Sequence, residues 1–280
     1  MRFAIKTAPQ HTTWQGMLDV FRAADDMPIF ESGWTFDHFY PIFSDHTGPC
    51  LEGWIATTAL AQATTRLRVG LMVTGNPYRH PAVLANMAAT LDVISNGRLE
   101  LGIGAGWNQQ ECDAYGIDLP PLRERFDRFD EALEVITRLL TQTTSDFDGR
   151  YYSLTDAYCE PKPVQQPHPP ICIGGGGEKR TLRAVARYAQ HWNMAGGTPE
   201  QFTHKLGVLH DHCATAGRDP KDIMTSTQLR FGQGQDAAEV ADQAAAFRDV
   251  GCDLIVVALV PPHTPALLDP LARALEPLAG

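Results

Sequence analysis

Asp37 and His38 stand side by side at the end of a β-rich run, a carboxylate next to an imidazole. Such a pair can hold the polar edge of a bound ring and exchange a proton near neutral pH, where imidazole titrates. The same two residues also fit a satisfied histidine beside a loop-capping aspartate, so their position must decide. Further along, Val73-Thr74-Gly75-Asn76-Pro77 places a hydroxyl and an amide, Thr74 and Asn76, around a glycine that allows close backbone approach. Those residues equally make an ordinary turn. Arg79, just beyond, reads as a structural salt-bridge partner.

Two glycine runs follow apolar runs. In Gly102-Ile103-Gly104-Ala105-Gly106-Trp107 the Gly-x-Gly-x-Gly spacing invites a dinucleotide-binding reading. That reading needs an acidic residue about 20 positions on, at the end of the next strand. Here that region is Pro120-Pro121, and the reading is rejected. Gly104 and Gly106 instead suit a flat ring lying against backbone, with Trp107 as a wall of its pocket or as a loop-covering aromatic. The second run, Gly174, Gly175, Gly176 and Gly177, leads into Glu178-Lys179-Arg180-Thr181 and a helical pattern. Free N–H groups at a helix start bind phosphate, and Lys179 and Arg180 in a first turn are best explained by a bound anion. Four glycines are costly to order in a mere flexible turn.

These sites need a scaffold that brings distant run ends together. Eight short β-rich runs occur at 3–7, 34–37, 67–73, 99–103, 171–173, 191–194, 225–231 and 254–259. Most are continuously apolar, as parallel strands covered on both faces are. Helical patterns lie between them: after Thr13 as N-cap, from Pro81, through Phe126–Leu140, and over 179–189, 199–216, 237–249 and 265–275. Eight alternations in 280 residues predict a single (β/α)8 TIM barrel over 1–280, with the reactive groups at the strand C-termini. An open doubly wound sheet is the structural alternative. The rhythm breaks near 143–170, whose aromatics predict an ordered insertion that, with Trp107, walls the pocket.

A formal charge of −10, from 33 acids against 23 bases, argues against nucleic acid or an anionic membrane as partner. No apolar run approaches the roughly 20 residues of a membrane span. Six scattered cysteines without a Cys-x-x-Cys read as reduced thiols, and with a start lacking an apolar leader they predict a cytoplasmic protein. His204, His210 and Cys213, on one polar helix, read as solvated, and no metal site is expected.

Three stretches together resemble the luciferase-like monooxygenase superfamily, most closely its actinobacterial branch that uses the deazaflavin coenzyme F420. They are Val73 to Ala85, Leu91-Asp92-Val93-Ile94-Ser95-Asn96-Gly97-Arg98, and Gly102 to Trp107; Lys6 to His11 and Gly174 to Thr181 fit the same group. The resemblance implies a (β/α)8 barrel with the ring over the strand C-termini. It implies cofactor contacts at Asp37, at Leu71, Met72 and Thr74, and at Gly175 to Gly177, with proton transfer at His38. Asn76, Gly104, Gly106, Trp107 and Gly174 join them as cofactor contacts from the reading of the residues themselves. It also implies a bulge with a non-prolyl cis peptide at Leu71–Met72. The activity implied is hydride transfer between F420 and a small-molecule substrate by a homodimer, with an FMN-dependent monooxygenase or a non-catalytic flavin-binding protein as alternatives. Similar sugar-phosphate dehydrogenases carry a catalytic glutamate where this chain has Trp107, which points to a more apolar substrate.

Overall fold

Continuous apolar runs need cover on both faces, and a closed cylinder supplies it, with helices outside and side chains of facing strands inside. The structure is a computed structural model describing residues 1–42 and 45–280. In chain order the first half runs β1 (Arg2–Thr7), α1 (Trp14–Asp25), β2 (Phe30–Thr35), α2 (Gly53–Ala63), β3 (Arg68–Leu71), β4 (Thr74–Gly75), α3 (Pro81–Ile94), β5 (Leu99–Gly104), α4 (Gln109–Tyr115) and α5 (Leu122–Thr141). The second half runs β6 (Ser145–Asp148), β7 (Ser153–Ala157), β8 (Ile171–Gly174), α6 (Thr181–Tyr188), β9 (His191–Met194), α7 (Pro199–Ala216), β10 (Met224–Phe231), α8 (Ala237–Asp249), β11 (Leu254–Leu259) and α9 (Leu268–Leu275). The parallel order β3-β2-β1-β11-β10-β9-β8-β5 closes on itself through pairing of β3 with β5. This is the eight-stranded (β/α)8 barrel the alternation predicts, and β4 extends the third strand position beyond a break.

Side chains divide by face. Phe3, Ile5, Phe30, Val69, Leu101 and Ile171 are buried outward against the helices. Ala4, Trp34, Met72, Cys172, Leu254 and Val256 fill the interior. Helix starts follow their sequence signals: the Thr13 hydroxyl accepts from Gly16 N, and Thr198 with Gln201 forms a capping box on α7.

Several expectations are corrected. The second strand is Phe30–Thr35, not 34–37, so Asp37 and His38 lie in the loop beyond it. Ser32 and Gly33 weaken the local β signal, yet Gly33 is needed because a Cβ there would meet the Phe21 ring at 2.5 Å. The cis peptide is Met72–Val73, one residue beyond the expected Leu71–Met72. Helix α6 starts at Thr181, so Lys179 and Arg180 precede it. Arg180 is held by Asp127 and Asp130 of α5 at 2.8 Å each, which accounts for its charge without an anion. Cys213 is fully buried rather than solvated, on the apolar face of α7, whereas His204 and His210 are exposed.

The insertion is ordered, with β6 and β7 pairing as an antiparallel hairpin. It follows α5 and doubles back along its outside. Glu131 of α5 accepts from the backbone N–H groups of Arg150, Tyr151 and Tyr152, while Arg128 lies over the Tyr151 ring. Two helices, α2 and α4, carry no stripe that the sequence pattern singles out.

Candidate functional site

The strand C-termini open into a cavity of about 720 Å³. Lys6 of β1, the 72–75 segment, Gly104 to Gly106, Gly174, Gly175 and Gln228 of β10 line its depth. Trp107 and Leu122, 62% and 64% exposed, stand at its mouth with Phe126 and Pro261. Among the described residues lining it, Lys6, His38, Arg125 and Arg230 can carry positive charge and none is a carboxylate. In a chain of net charge −10 this is a local inversion of sign, suited to an anionic ligand.

His38 enters from the loop after β2 and is oriented from behind. Its Nδ1 lies 2.7 Å from Glu111 Oε2 in α4. The same carboxylate accepts from the Tyr78 hydroxyl at 2.6 Å and from Phe39 N at 2.7 Å. Burial opposes ionisation of Glu111, but donors from His38, Tyr78 and Phe39 outweigh it and hold the carboxyl below its ordinary range. Burial and the Glu111 contact push the Tyr78 phenol up, so it stays a donor. An ionised Glu111 accepts and cannot donate, so His38 Nδ1 carries a proton. Nε2 is then the ring atom left for the cavity, with Trp107 edge-on to the imidazole at 5.8 Å between ring centres.

Glu111 is the residue the sequence reading missed, because its partners are 72 and 73 positions away in the chain. Its one local signal is Asn108-x-x-Glu111. Asn108 caps α4 by accepting from Glu111 N at 3.2 Å, which fixes the third helical position toward His38.

The other expected residues divide into two sets. Met72, Thr74, Gly104, Gly106, Trp107, Gly174 and Gly175 line the cavity with His38. Asp37 does not: it is 1% exposed and paired through both oxygens with Arg79, which also approaches Glu52 at 3.6 Å. Leu71 is buried outward in the core, and the buried Asn76 donates to the Tyr152 hydroxyl at 3.4 Å, leaving its Oδ1 without a partner. Gly176 opens onto an adjoining groove with Gly196, His204 and Lys205, and Gly177 packs against Thr181. No residue of the 143–170 insertion lines the cavity, correcting the expectation that it forms a wall.

The strand glycines also do something other than expected. A Cβ on Gly102 would lie 1.8 Å from Leu71 O, and Cβ atoms on Gly104 and Gly174 would press Val73 at 3.0–3.1 Å. Their missing side chains therefore seat the 71–73 bulge inside the barrel mouth, and the bulge, more than the glycines, makes the platform of the cavity.

A closed parallel barrel with its cavity at the strand C-termini, and an anchored histidine facing it, defines a (β/α)8 protein built as enzymes of that architecture are. Within that class the chain belongs to the luciferase-like monooxygenase family, whose profile matches residues 1–268. An uncharacterized protein of Mycobacterium bovis is 34% identical over 171 residues, 60% of this chain and 58% of the relative. The chain thus spans under two thirds of that relative's length. The F420-dependent glucose-6-phosphate dehydrogenase of Microbacterium testaceum is 33% identical over 241 residues, 84% of this chain and 69% of that protein. Among solved structures, an F420-dependent secondary alcohol dehydrogenase in complex with an F420-acetone adduct superposes with a TM-score of 0.90 at 18% identity, covering 100% of this chain and 99% of the other. At that identity the likeness speaks to the fold.

Proposed function

We propose that the chain is an F420-dependent oxidoreductase acting on a small organic substrate with a largely apolar body. One observation carries the reading: His38, the 72–75 platform and the first glycines of the Gly174–Gly177 turn face a single cavity with no carboxylate among the described residues that line it. The likeness to the M. testaceum enzyme supports F420 as the ring.

The residues present fit such a group. Gly176 and Gly177 donate their N–H groups to no acceptor among the described residues. A Cβ on Gly177 would meet Thr181 Oγ1 at 2.8 Å, so the turn stays bare where a phosphate would sit. The deazaflavin, when bound, supplies the hydride chemistry. Met72, Thr74, Gly104, Gly106 and Trp107 bound its place, and the Gly174–Gly177 turn takes the anionic tail. Asp37, Leu71 and Asn76 act from behind that wall, Asp37 by fixing Arg79. His38 holds or delivers a proton at Nε2, and Glu111 sets its tautomer and direction. Trp107 and Leu122 at the mouth exclude water and favour an apolar substrate over a sugar phosphate.

Fluorescence titration tests the reading. F420 is expected to bind with Kd below about 100 μM, equivalent to about −5.5 kcal/mol, and more tightly than FMN. Tighter FMN binding transfers the reading to a flavin monooxygenase, and binding of neither ring removes its basis.

Assembly belongs to the same proposal. The neighbouring helices α2 and α3 expose Ile55 at 74% and Val83 at 53%, an apolar face that a second copy of the chain would cover. Light scattering should give a dimer that Ile55→Glu weakens; a monomeric parent would refute this part.

A further inference from the structure

Below the platform, inward side chains of five strands form an unbroken polar chain down the barrel. At its base Arg68 Nε donates to Glu100 Oε1 at 2.8 Å, and Glu100 Oε2 lies 3.0 Å from His191 Nδ1. His191 Nε2 lies 2.7 Å from Ser226 Oγ. That hydroxyl donates to Trp192 O at 3.3 Å and accepts from Asn193 Nδ2 at 2.8 Å. Gln228 Nε2 donates to Asn193 Oδ1 at 2.7 Å, and Lys6 Nζ donates to Gln228 Oε1 at 2.9 Å and to Met72 O at 3.1 Å.

Glu100 requires a donor from His191 Nδ1, and with the His191 pKa raised to about 10 the ring is the imidazolium at the bottom of the chain. Nε2 therefore donates to Ser226 Oγ, and that hydroxyl keeps its own proton for Trp192 O. At the top, both partners of Lys6 are carbonyl oxygens that can only accept. They commit two ammonium protons, and the third meets no partner among the described residues, although Lys6 lines the cavity.

We infer that Lys6 is a ligand-binding residue whose remaining N–H takes an oxyanion, a carboxylate or enolate oxygen, from whatever group reaches the cavity floor. The oxygen belongs either to the substrate or to the redox ring; the chemistry recognised is the same. Apolar walls at the mouth and a cation at the floor select an amphiphile entering charged end first. An uncharged ligand end would leave that cation with no counter-charge, since no described residue lining the cavity is a carboxylate.

Burial lowers the Lys6 pKa to about 8, with Cys172 opposing the shift. Around the amine, Cys172 comes from β8, Gln228 from β10 and the Met72 carbonyl from the bulge, while Ala4, Trp34 and Val256 are uncharged. Arg125 is occupied with the Gly106 and Pro120 carbonyls, and Arg230 is also engaged. Oxyanion binding is accordingly strong below about pH 8 and fades above it.

The test uses the full chain without cofactor, so it stands apart from the F420 assignment. Octanoate and 1-octanol are titrated by calorimetry at pH 6.5 and 9.5 into the parent, Lys6→Met and Lys6→Arg, each checked for folding by circular dichroism. The expected result is at least tenfold preference for octanoate in the parent at pH 6.5, shrinking at pH 9.5. Lys6→Met should abolish it and Lys6→Arg should keep it at both pH values. Equal affinities in the parent, or a preference that survives in Lys6→Met, would overturn the inference. Should Lys6→Met not fold, a preference that declines with pH equally in the parent and in Lys6→Arg would overturn it too. Repetition with saturating F420 assigns the source: octanoate displaced points to the ring's oxygen, octanoate retained to the substrate's.

Discussion

The barrel holds two buried histidine–glutamate pairs of nearly equal geometry and opposite character. At the base, His191 and Glu100 lie 3.0 Å apart; at the mouth, His38 and Glu111 lie 2.7 Å apart. What separates them is the second nitrogen. His191 spends Nε2 on Ser226 and is enclosed, while His38 turns Nε2 toward a cavity. A histidine with both nitrogens spoken for is held in one protonation state across neutral pH, and one with a single anchor keeps an atom for exchange. Under the proposed function the carboxylate alone does not make a catalytic pair; the open ring nitrogen opposite it does.

The largest effect that could break this contrast is on stability at the base. Removing one partner of a buried ion pair costs about 3–5 kcal/mol. Glu100→Gln, which strands the His191 and Arg68 charges, should lose that much in urea unfolding, whereas Glu111→Gln should lose distinctly less. Equal losses would make the mouth pair structural as well. The pH profile follows from the same pair. Burial opposes the charge on His191, but Cys172 and Glu100 favour it and its pKa is pushed up to about 10. A raised pKa gives stability that is complete below the unfolded value of 6.5 and is lost as pH rises toward 10. Burial likewise opposes ionisation of Glu100, yet His191 and Arg68 hold it near 2, so its contribution is present above 4.5 and lost on acidification. The contribution of this pair to the unfolding free energy should therefore be flat from pH 4.5 to 6.5 and decline on both sides. It is superposed on that of His263, whose pKa burial lowers to about 4 and which loses stability below pH 6.5. Glu100→Gln should flatten the alkaline limb; an unchanged limb would show that His191 is not the group responsible.

Next in size is the rate effect at the mouth. His38→Gln keeps an N–H toward Glu111 and removes the ring nitrogen that faces the cavity. The F420-linked turnover should fall about a hundredfold, the lower end for general acid–base catalysis, or about 2.7 kcal/mol. Its unfolding free energy should stay within about 1 kcal/mol of the parent. A variant that unfolds more readily but turns over normally would place His38 with His191, as a structural residue.

Why His38 alone, of the four members of these two pairs, was visible in the sequence is itself physical. The β-rich runs at 191–194 and 254–259 coincide with β9 and β11, and the 199–216 and 237–249 patterns with α7 and α8, because apolar period reports burial directly. The same continuity hides the inward polar residues. Glu100 and His191 sit inside apolar runs, and nothing local says that they face each other across a barrel. Helix α2 escaped because it buries Trp54, Ala56, Thr57, Leu60 and Ala61 on several sides, leaving no stripe. Asp37 and His38 were legible as chemistry but not in their separate fates: Arg79 claims one and Glu111 orients the other. The platform was legible as a bulge, and its cis bond fell one residue away from the expectation because only packing against Gly102 and Gly104 sets its register.

The smallest effect is the sharpest probe of the mouth pair, since it alters the anchor and leaves the histidine in place. Tyr78 gives one of three donors to Glu111, and Tyr78→Phe removes only that hydroxyl. The cost should be about 1.5 kcal/mol, the low end for a hydrogen bond to a charged group, because His38 Nδ1 and Phe39 N remain. Glu111 is held below its ordinary range by these donors against burial, so its stabilising effect exists above the unfolded carboxyl value and disappears on acidification. With one donor gone the Glu111 pKa rises, and the acid loss of stability should begin at higher pH than in the parent. The turnover profile should shift at its acid edge in the same direction, since a protonated Glu111 no longer fixes the His38 tautomer. If the acid edge stays put while stability falls, Tyr78 packs the site without tuning it, and the anchoring of His38 rests on Glu111 and the Phe39 amide alone.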